Sequence, residues 1–122
     1  MDVVGDVRIE PADDDVAVVV LTGEHDLGSL PRVREAFDAV AGEGKALVID
    51  LCPTSFVDSS ILGAILDARR TASDADRGFA VACDGSAEPV RRVLEVTGLG
   101  KELPVLPSRE AALADLGGQG RP

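Results

Sequence analysis

Apolar residues along this chain alternate between short continuous runs and segments in which they recur at helical spacing. The continuous runs are four to eight residues long and rich in β-branched side chains, which is typical of strands buried on both faces of a sheet. The first run alternates only weakly and is typical of an edge strand. The predicted strands are residues 3–10, 16–23, 46–51, 78–83 and 103–106.

Between these runs the spacing predicts four helices. The first begins near Ser29, a favourable N-cap residue, and ends at Gly42 and Gly44. The second begins at Asp58 or Ser59. A third helix covers residues 87–97, and Ser108 caps the last. Their inward-facing stripes are Leu30, Val33, Phe37 and Val40; Ile61, Leu62, Ile65 and Leu66; Val90, Val93 and Leu94; and Ala112, Leu113 and Leu116.

Strands that alternate with helices predict an α/β fold with a mixed, mostly parallel sheet of four to five strands packed with about four helices. The opening strand pair is joined by a polar turn at residues 11–15 and is expected to be antiparallel. Residues 53–58 are interpreted as a loop. We expect one domain over residues 1–116 and a disordered tail over residues 117–122.

Charge narrows the possible partners. Twelve basic and twenty-two acidic side chains give a net charge of −10, which repels nucleic acid and anionic lipid. Neither a signal peptide nor a membrane span is evident, so we expect a cytoplasmic protein. Cys52 and Cys83 are interpreted as small buried hydrophobic residues in a reducing compartment rather than as a disulfide. With His25 as the sole histidine, no metal site and no cofactor are expected.

The segment Asp58-Ser59-Ser60 lies where a loop becomes a helix. One interpretation is helix capping, because Asp and Ser accept hydrogen bonds from first-turn amides. Another is phosphorylation, since a helix start stabilises added negative charge. These two are compatible. A catalytic serine is disfavoured, because the Gly-x-Ser-x-Gly pattern is absent and no base is positioned for it.

Gly23-Glu24-His25-Asp26 follows a predicted strand and therefore lies at its carboxyl end, where α/β proteins place their sites. The acids are interpreted either as solvated loop residues or as a charged rim for a partner, and His25 as a solvated loop residue. Asp50 invites comparison with a phospho-accepting receiver domain. That comparison fails, because Asp50 precedes Leu51 and Cys52 within its strand and no lysine follows a late strand.

Three stretches together resemble the STAS family, in particular its free-standing bacterial anti-sigma factor antagonists. They are LTGEHD from Leu21, LVIDLCPTSFVDSSILGAIL from Leu47, and PVRRVLEVTGL from Pro89. The similarity runs in register from about Val7 to Leu116. It departs from the family pattern at Ile61, where many relatives carry glycine, and at His25, where an aliphatic residue is common.

The resemblance implies a non-enzymatic binding switch. The unphosphorylated form would bind an anti-sigma factor that is also a serine kinase, and so release a sigma factor for transcription. Phosphorylation of Ser59 would switch binding off, a PP2C-type phosphatase would reverse it, and a monomer is expected. The residues expected to contact the partner are Glu24, His25, Asp26, Asp58, Ser60, Ile61, Leu62 and Gly63.

Two other functions stay open at this point. The same fold could serve as a STAS adaptor subunit of a signalling or lipid-transport complex without phosphorylation. An enzyme that uses Ser59 as a nucleophile is the third possibility, and labelling by a serine-directed electrophile would distinguish it.

Overall fold

A computed structural model describes residues 5–117 of the chain. The strands and helices follow one another in an order close to the predicted one. They are β1 (Asp6–Asp13), β2 (Val16–His25), α1 (Leu30–Gly42), β3 (Ala46–Asp50), β4 (Thr54–Val57), α2 (Ser59–Asp74), β5 (Phe79–Ala82), α3 (Glu88–Thr97), α4 (Leu99–Glu102), β6 (Val105–Leu106) and α5 (Arg109–Gly117).

The sheet has the order β1-β2-β3-β5-β6, with β4 paired to the end of β2. β1 runs antiparallel to β2, whereas all other pairs are parallel. Val19 lies opposite Ile49, which in turn lies opposite Val81. The predicted mixed, mostly parallel α/β fold is therefore confirmed, with two short elements added to it.

Both faces of the sheet are buried, as the continuous apolar runs predict. Along β2, Ala17, Val19 and Leu21 pack with the buried residues of α1, α2 and α3, while Val16, Val18 and Val20 face the other way. On that second face, α5 covers the sheet with Ala112 and Leu116. The alternation places α5 on one side of the sheet and α1, α2 and α3 on the other, where Leu99 of the short helix α4 also packs.

Two predicted strand ends were wrong, and one short helix was missed. β1 continues to Asp13, so the predicted turn shortens to Asp14 and Asp15, where the Asp13 side chain accepts a 2.7 Å hydrogen bond from the Asp15 amide. β2 continues through His25. Gly98, at φ 75°, ends α3 as expected, but the short helix α4 follows it directly. Residues 3 and 4 of the first predicted strand and residues 118–122 of the predicted tail lie outside the described residues, and Gly117 is the last residue of α5.

The segment predicted as a loop contains strand β4. Pro53 cannot donate a ladder hydrogen bond, so the chain leaves β3 there. It then meets the end of β2: the Gly23 amide donates to the Pro53 carbonyl at 3.1 Å, and the Thr54 hydroxyl donates to the Leu21 carbonyl. With only four residues, exposed at both central positions, β4 carries too little periodicity to be recognised from sequence.

Both cysteines are free and half-buried. Cys52 packs against the face covered by α5, whereas Cys83 packs against the opposite face. Burial, together with hydrogen bonding and negative charge from Asp50, raises the pKa of the Cys52 thiol to about 12. The thiol therefore stays protonated near neutral pH, in agreement with its interpretation as a small apolar side chain.

Asp50 is a buried carboxylate, 5% exposed, at the end of β3. Arg109 at the start of α5 contacts it at 3.1 Å and also contacts Glu10 on β1 at 2.7 Å. One Asp50 oxygen accepts the Cys52 amide as well, at 2.9 Å. This arrangement fixes the start of α5 to two strands of the sheet.

We expect Arg109→Ala to lower the free energy of unfolding by about 2 kcal/mol, because it leaves the Asp50 carboxylate buried without its cation. Urea denaturation measures the change. The matched control is Arg8→Ala, which removes an exposed arginine that also pairs with Glu10 and should cost no more than about 0.5 kcal/mol. Equal losses in the two variants would contradict the role assigned to Arg109.

Candidate functional site

The candidate site lies where the carboxyl ends of β2 and β4 meet the start of α2. Asp58 joins β4 to α2 as the N-cap residue, with extended backbone angles of φ −103° and ψ −177°. Its amide donates to the carbonyl of His25, the last residue of β2, at 3.3 Å. The predicted position of this segment, between a strand and a helix, is thus confirmed.

The Asp58 carboxylate connects two parts of the site. Its Oδ1 atom accepts hydrogen bonds from the amides of Ser60 and Ile61, at 3.0 and 3.2 Å, and from the Ser60 hydroxyl at 2.6 Å. Its Oδ2 atom accepts the amide of Leu27, in the loop between β2 and α1, at 3.2 Å. One side chain therefore caps α2 and holds the neighbouring loop.

These contacts keep Asp58 ionised. Partial burial disfavours the charged carboxylate, but the hydrogen bonds from the Ser60 side chain and from the amides of Ile61, Ser60 and Leu27 outweigh it. The pKa of Asp58 is lowered as a result. The capping interpretation of the sequence is confirmed for Asp58.

The two serines after Asp58 differ in their environment. Ser59 is exposed, and its hydroxyl makes no hydrogen bond to any residue between 5 and 117. Ser60 is half-buried, and its hydroxyl donates to Asp58. Ser59 is therefore the serine of this pair whose oxygen is accessible from solution.

The loop between β2 and α1 contains the acids expected to form a rim. Glu24, at the end of β2, and Asp26, in the loop, are both exposed. The Asp26 side chain accepts the Gly28 amide at 2.8 Å, which closes the loop on itself. Both carboxylates are thus exposed, as either interpretation of these acids requires, and a rim for a partner stays a prediction.

His25 is not the solvated loop residue that the sequence suggested. It is the last residue of β2, and its side chain is fully buried. Nδ1 lies 2.9 Å from the Ser29 hydroxyl and Nε2 lies 3.1 Å from the Thr22 carbonyl. Ser29 in turn does not cap α1 with its side chain, because its hydroxyl is occupied by His25 and Asp26.

Ile61 and Leu62 lie in the core, as their helical stripe predicts, and not at the surface, as their expected contact with a partner requires. Ile61 is 0% exposed and Leu62 is 4% exposed, because α2 turns this part of its first turns toward the sheet. Neither side chain can contact a partner directly, and Ile61 does not cover Ser59. Gly63 is half-buried, and a Cβ atom there would have open space around it.

The sequence interpretation missed two exposed apolar side chains beside Asp58. Leu27 is 68% exposed and its amide bonds to Asp58. Phe56 on β4 is 40% exposed and lies opposite Glu24. For Leu27 the available signal was an apolar residue between Asp26 and Gly28 in an otherwise polar loop. The exposure of Phe56 was missed because strand β4 was not recognised from the sequence.

No group of three or more potential metal ligands occurs within residues 5–117. In the same part of the chain, no helix is long and apolar enough to span a membrane. The site presents an accessible hydroxyl and three carboxylates next to two exposed apolar side chains. This combination is typical of a surface that contacts another molecule.

Known proteins share this sequence pattern. The profile of the family described as "Mlab, STAS domain" matches residues 10–107. The anti-sigma-B factor antagonist of Listeria monocytogenes is 31% identical over 94 residues, which cover 76% of this chain and 81% of the relative.

Solved structures share the fold. An anti-sigma factor antagonist from Mycobacterium paratuberculosis superimposes with a TM-score of 0.82 at 32% identity, covering 93% of this chain and 94% of that one. The Bacillus cell fate determinant SpoIIAA in its phosphorylated form gives a TM-score of 0.69 at 20% identity, covering 90% and 98%. The chain therefore belongs to the STAS-domain family of anti-sigma factor antagonists.

Proposed function

We propose that this chain is an anti-sigma factor antagonist whose unphosphorylated form binds an anti-sigma factor and so frees a sigma factor for transcription. Phosphorylation of Ser59 by a serine kinase, the anti-sigma factor itself, would end this binding. The proposal draws on the relatives named as antagonists, including those from Listeria monocytogenes and Mycobacterium paratuberculosis, which are 31% and 32% identical to the chain.

The observation that carries the proposal is the environment of Ser59. An exposed hydroxyl in the first turn of a helix, without a hydrogen bond to any of residues 5–117, can enter a kinase active site without local unfolding. There the γ-phosphorus of ATP would bond to Oγ, the hydroxyl proton would leave, and ADP would be released. A PP2C-type phosphatase would hydrolyse the same bond. The chain would be substrate and ligand in this cycle, not catalyst.

The surrounding surface suits a protein partner. Leu27 and Phe56 offer apolar contact area, and Glu24, Asp26 and Asp58 offer charge that would favour a partner with basic side chains. Ser60 and Gly63 would complete the contact along α2. His25, Ile61 and Leu62 would support this surface from beneath.

The energetics of such a switch are modest. A phosphate adds about −1.5 to −2 charges at neutral pH, here beside three carboxylates. A hundredfold loss of affinity requires only about 2.7 kcal/mol. Desolvating one phosphate at the centre of an interface is sufficient for that. We further propose that the protein works as a cytoplasmic monomer, with residues 1–116 as its domain.

We expect phosphorylated Ser59, or its mimic Ser59→Asp, to bind the cognate anti-sigma factor about a hundredfold more weakly than the unmodified protein. Titration calorimetry with the purified partner measures this. Ser73→Asp is the matched control, because Ser73 is an exposed serine near the other end of α2 and its replacement should leave affinity within about twofold.

A second arm of the same experiment tests the modified residue. Ser59→Ala should bind the partner like wild type and resist phosphorylation, whereas Ser60→Ala should still be phosphorylated. Incorporation of phosphate into Ser59→Ala at the wild-type rate would show that the site lies elsewhere.

We expect Asp58→Ala to lower the free energy of unfolding by about 1 kcal/mol, because α2 loses its cap, and Asp58→Asn to retain most of that stability, because Asn also caps helices well. The lowered pKa of Asp58 sets the pH dependence. Its stabilisation is present above the ordinary pKa and is lost as the pH falls through the lower value of the folded protein. Urea denaturation at neutral pH and below pH 3.8 measures both effects. An Asp58→Ala difference that does not shrink in acid would contradict the role of the carboxylate.

A further inference from the structure

His25 is a buried polar side chain directly beneath the candidate site. Its ring is enclosed by the chain before β1: a Cβ atom at Gly5 would come within 2.6 Å of Cε1 and 2.8 Å of Nδ1. Arg32 on α1 holds that segment in place through a 2.9 Å hydrogen bond to the Gly5 carbonyl. Gly5 therefore packs against the edge of the imidazole that carries Cε1 and Nδ1.

The hydrogen bonds of His25 define its tautomer. The Thr22 carbonyl can only accept, so Nε2 carries the proton and donates to it. In the neutral ring Nδ1 is then an acceptor, and the Ser29 hydroxyl donates to it. Ser29 Oγ also accepts the Asp26 amide at 3.3 Å. The ring is thereby connected to the backbone at the start of the loop.

The loop itself is connected to the helix that carries Ser59. The Leu27 amide donates to Asp58 Oδ2, and the Asp58 amide donates to the His25 carbonyl. A continuous series of hydrogen bonds thus runs from the buried ring through Ser29 and the loop to the cap of α2. Leu27, whose side chain is exposed, takes part in this series through its backbone amide.

We propose that His25 is a positioning residue of this site: its neutral ring, by accepting the Ser29 hydroxyl, holds the 26–28 loop so that Leu27 N–H meets Asp58. The consequence for partner binding rests on the function proposed above, whereas the consequence for the loop does not. A side chain of similar size that lacks a hydrogen-bond acceptor would fill the same space, but it would no longer hold the 26–28 loop.

Protonation changes the direction of these bonds. A proton on Nδ1 would have to be donated to Ser29 Oγ, and the Ser29 hydroxyl would turn to the Asp26 carbonyl, 3.2 Å away. The charged groups around the ring are Asp26 in the loop, Arg32 on α1 and Asp58 at the start of α2, with the Asp6 backbone on β1. Asp26 favours the protonated ring and Arg32 opposes it.

Burial has the largest effect on the pKa of His25 and lowers it. Hydrogen bonds to the backbone of Thr22 and Asp6 raise this pKa but do not outweigh burial. Because the pKa is lower in the folded than in the unfolded protein, the stabilisation is complete above pH 6.5 and is lost as the pH falls through the folded value.

Four variants of the full chain test the proposal by amide hydrogen exchange at neutral pH. His25→Leu should accelerate exchange of the Leu27 amide about tenfold and Ser29→Ala at least as much, because Ser29 Oγ also bonds to Asp26; the double variant should be no faster than Ser29→Ala alone, which already lacks the bond to His25. His25→Asn should keep near-wild-type exchange, since its side-chain oxygen can accept the Ser29 hydroxyl. Val48→Ala, on the sheet face covered by α5, controls for general destabilisation.

The pH dependence supplies a second readout. Between pH 6.5 and 5.5 the folding constant of wild type should fall by up to about fivefold relative to His25→Asn, which has no titrating ring. Unchanged Leu27 exchange in folded His25→Leu, or equal acceleration in His25→Asn, would overturn the proposal. In a parallel affinity measurement with the partner, faster exchange without weaker binding would leave the loop assignment intact and argue against the proposed binding surface.

Discussion

The Asp58 carboxylate is the interaction on which this site depends. A helix that begins directly after a strand leaves amides without partners, and Asp58 Oδ1 satisfies two of them together with the Ser60 hydroxyl. Oδ2 remains available and accepts the amide of Leu27 from the neighbouring loop. Helix capping and loop placement therefore share a single side chain, so neither can change without affecting the other. The exposed hydroxyl of Ser59 is presented by this arrangement.

Much of the fold could be predicted from the sequence, because the pattern of buried residues is physically strong. The run from Val16 to Leu21 is buried on both faces, and the stripe containing Val33, Phe37 and Val40 packs inward as expected. Asp58 and Ser59 were correctly located for a related reason: capping is a local effect, and the residues that perform it lie within three positions of one another. Whether Ser59 is modified is a property of a kinase and stays a prediction.

The errors arose where long-range contacts decide the local structure. β4 forms because the end of β2 offers it hydrogen-bond partners more than thirty positions earlier in the chain, which four residues of mixed pattern cannot reveal. His25 has two acidic neighbours in sequence, yet it is buried because Gly5 and Arg32 close over it. Leu62 was correctly placed on the inward stripe of α2, and only its expected contact with a partner was wrong, because this part of α2 packs against the sheet. In each case the missing information is the position of a distant segment.

The capping geometry also bears on how a phosphate on Ser59 would act. Helix starts ordinarily stabilise anions through their free amides. Here the amides of Ser60 and Ile61 are already bonded to Asp58, whose pKa is lowered by that same bonding, so the carboxylate is not readily displaced. A phosphate would therefore gain little from the helix start and would remain a solvated charge directed away from the domain. The phosphate would then act on the binding of the partner rather than on the fold. The binding surface could be switched while the core beneath it, with His25 and Ile61, stays as it is.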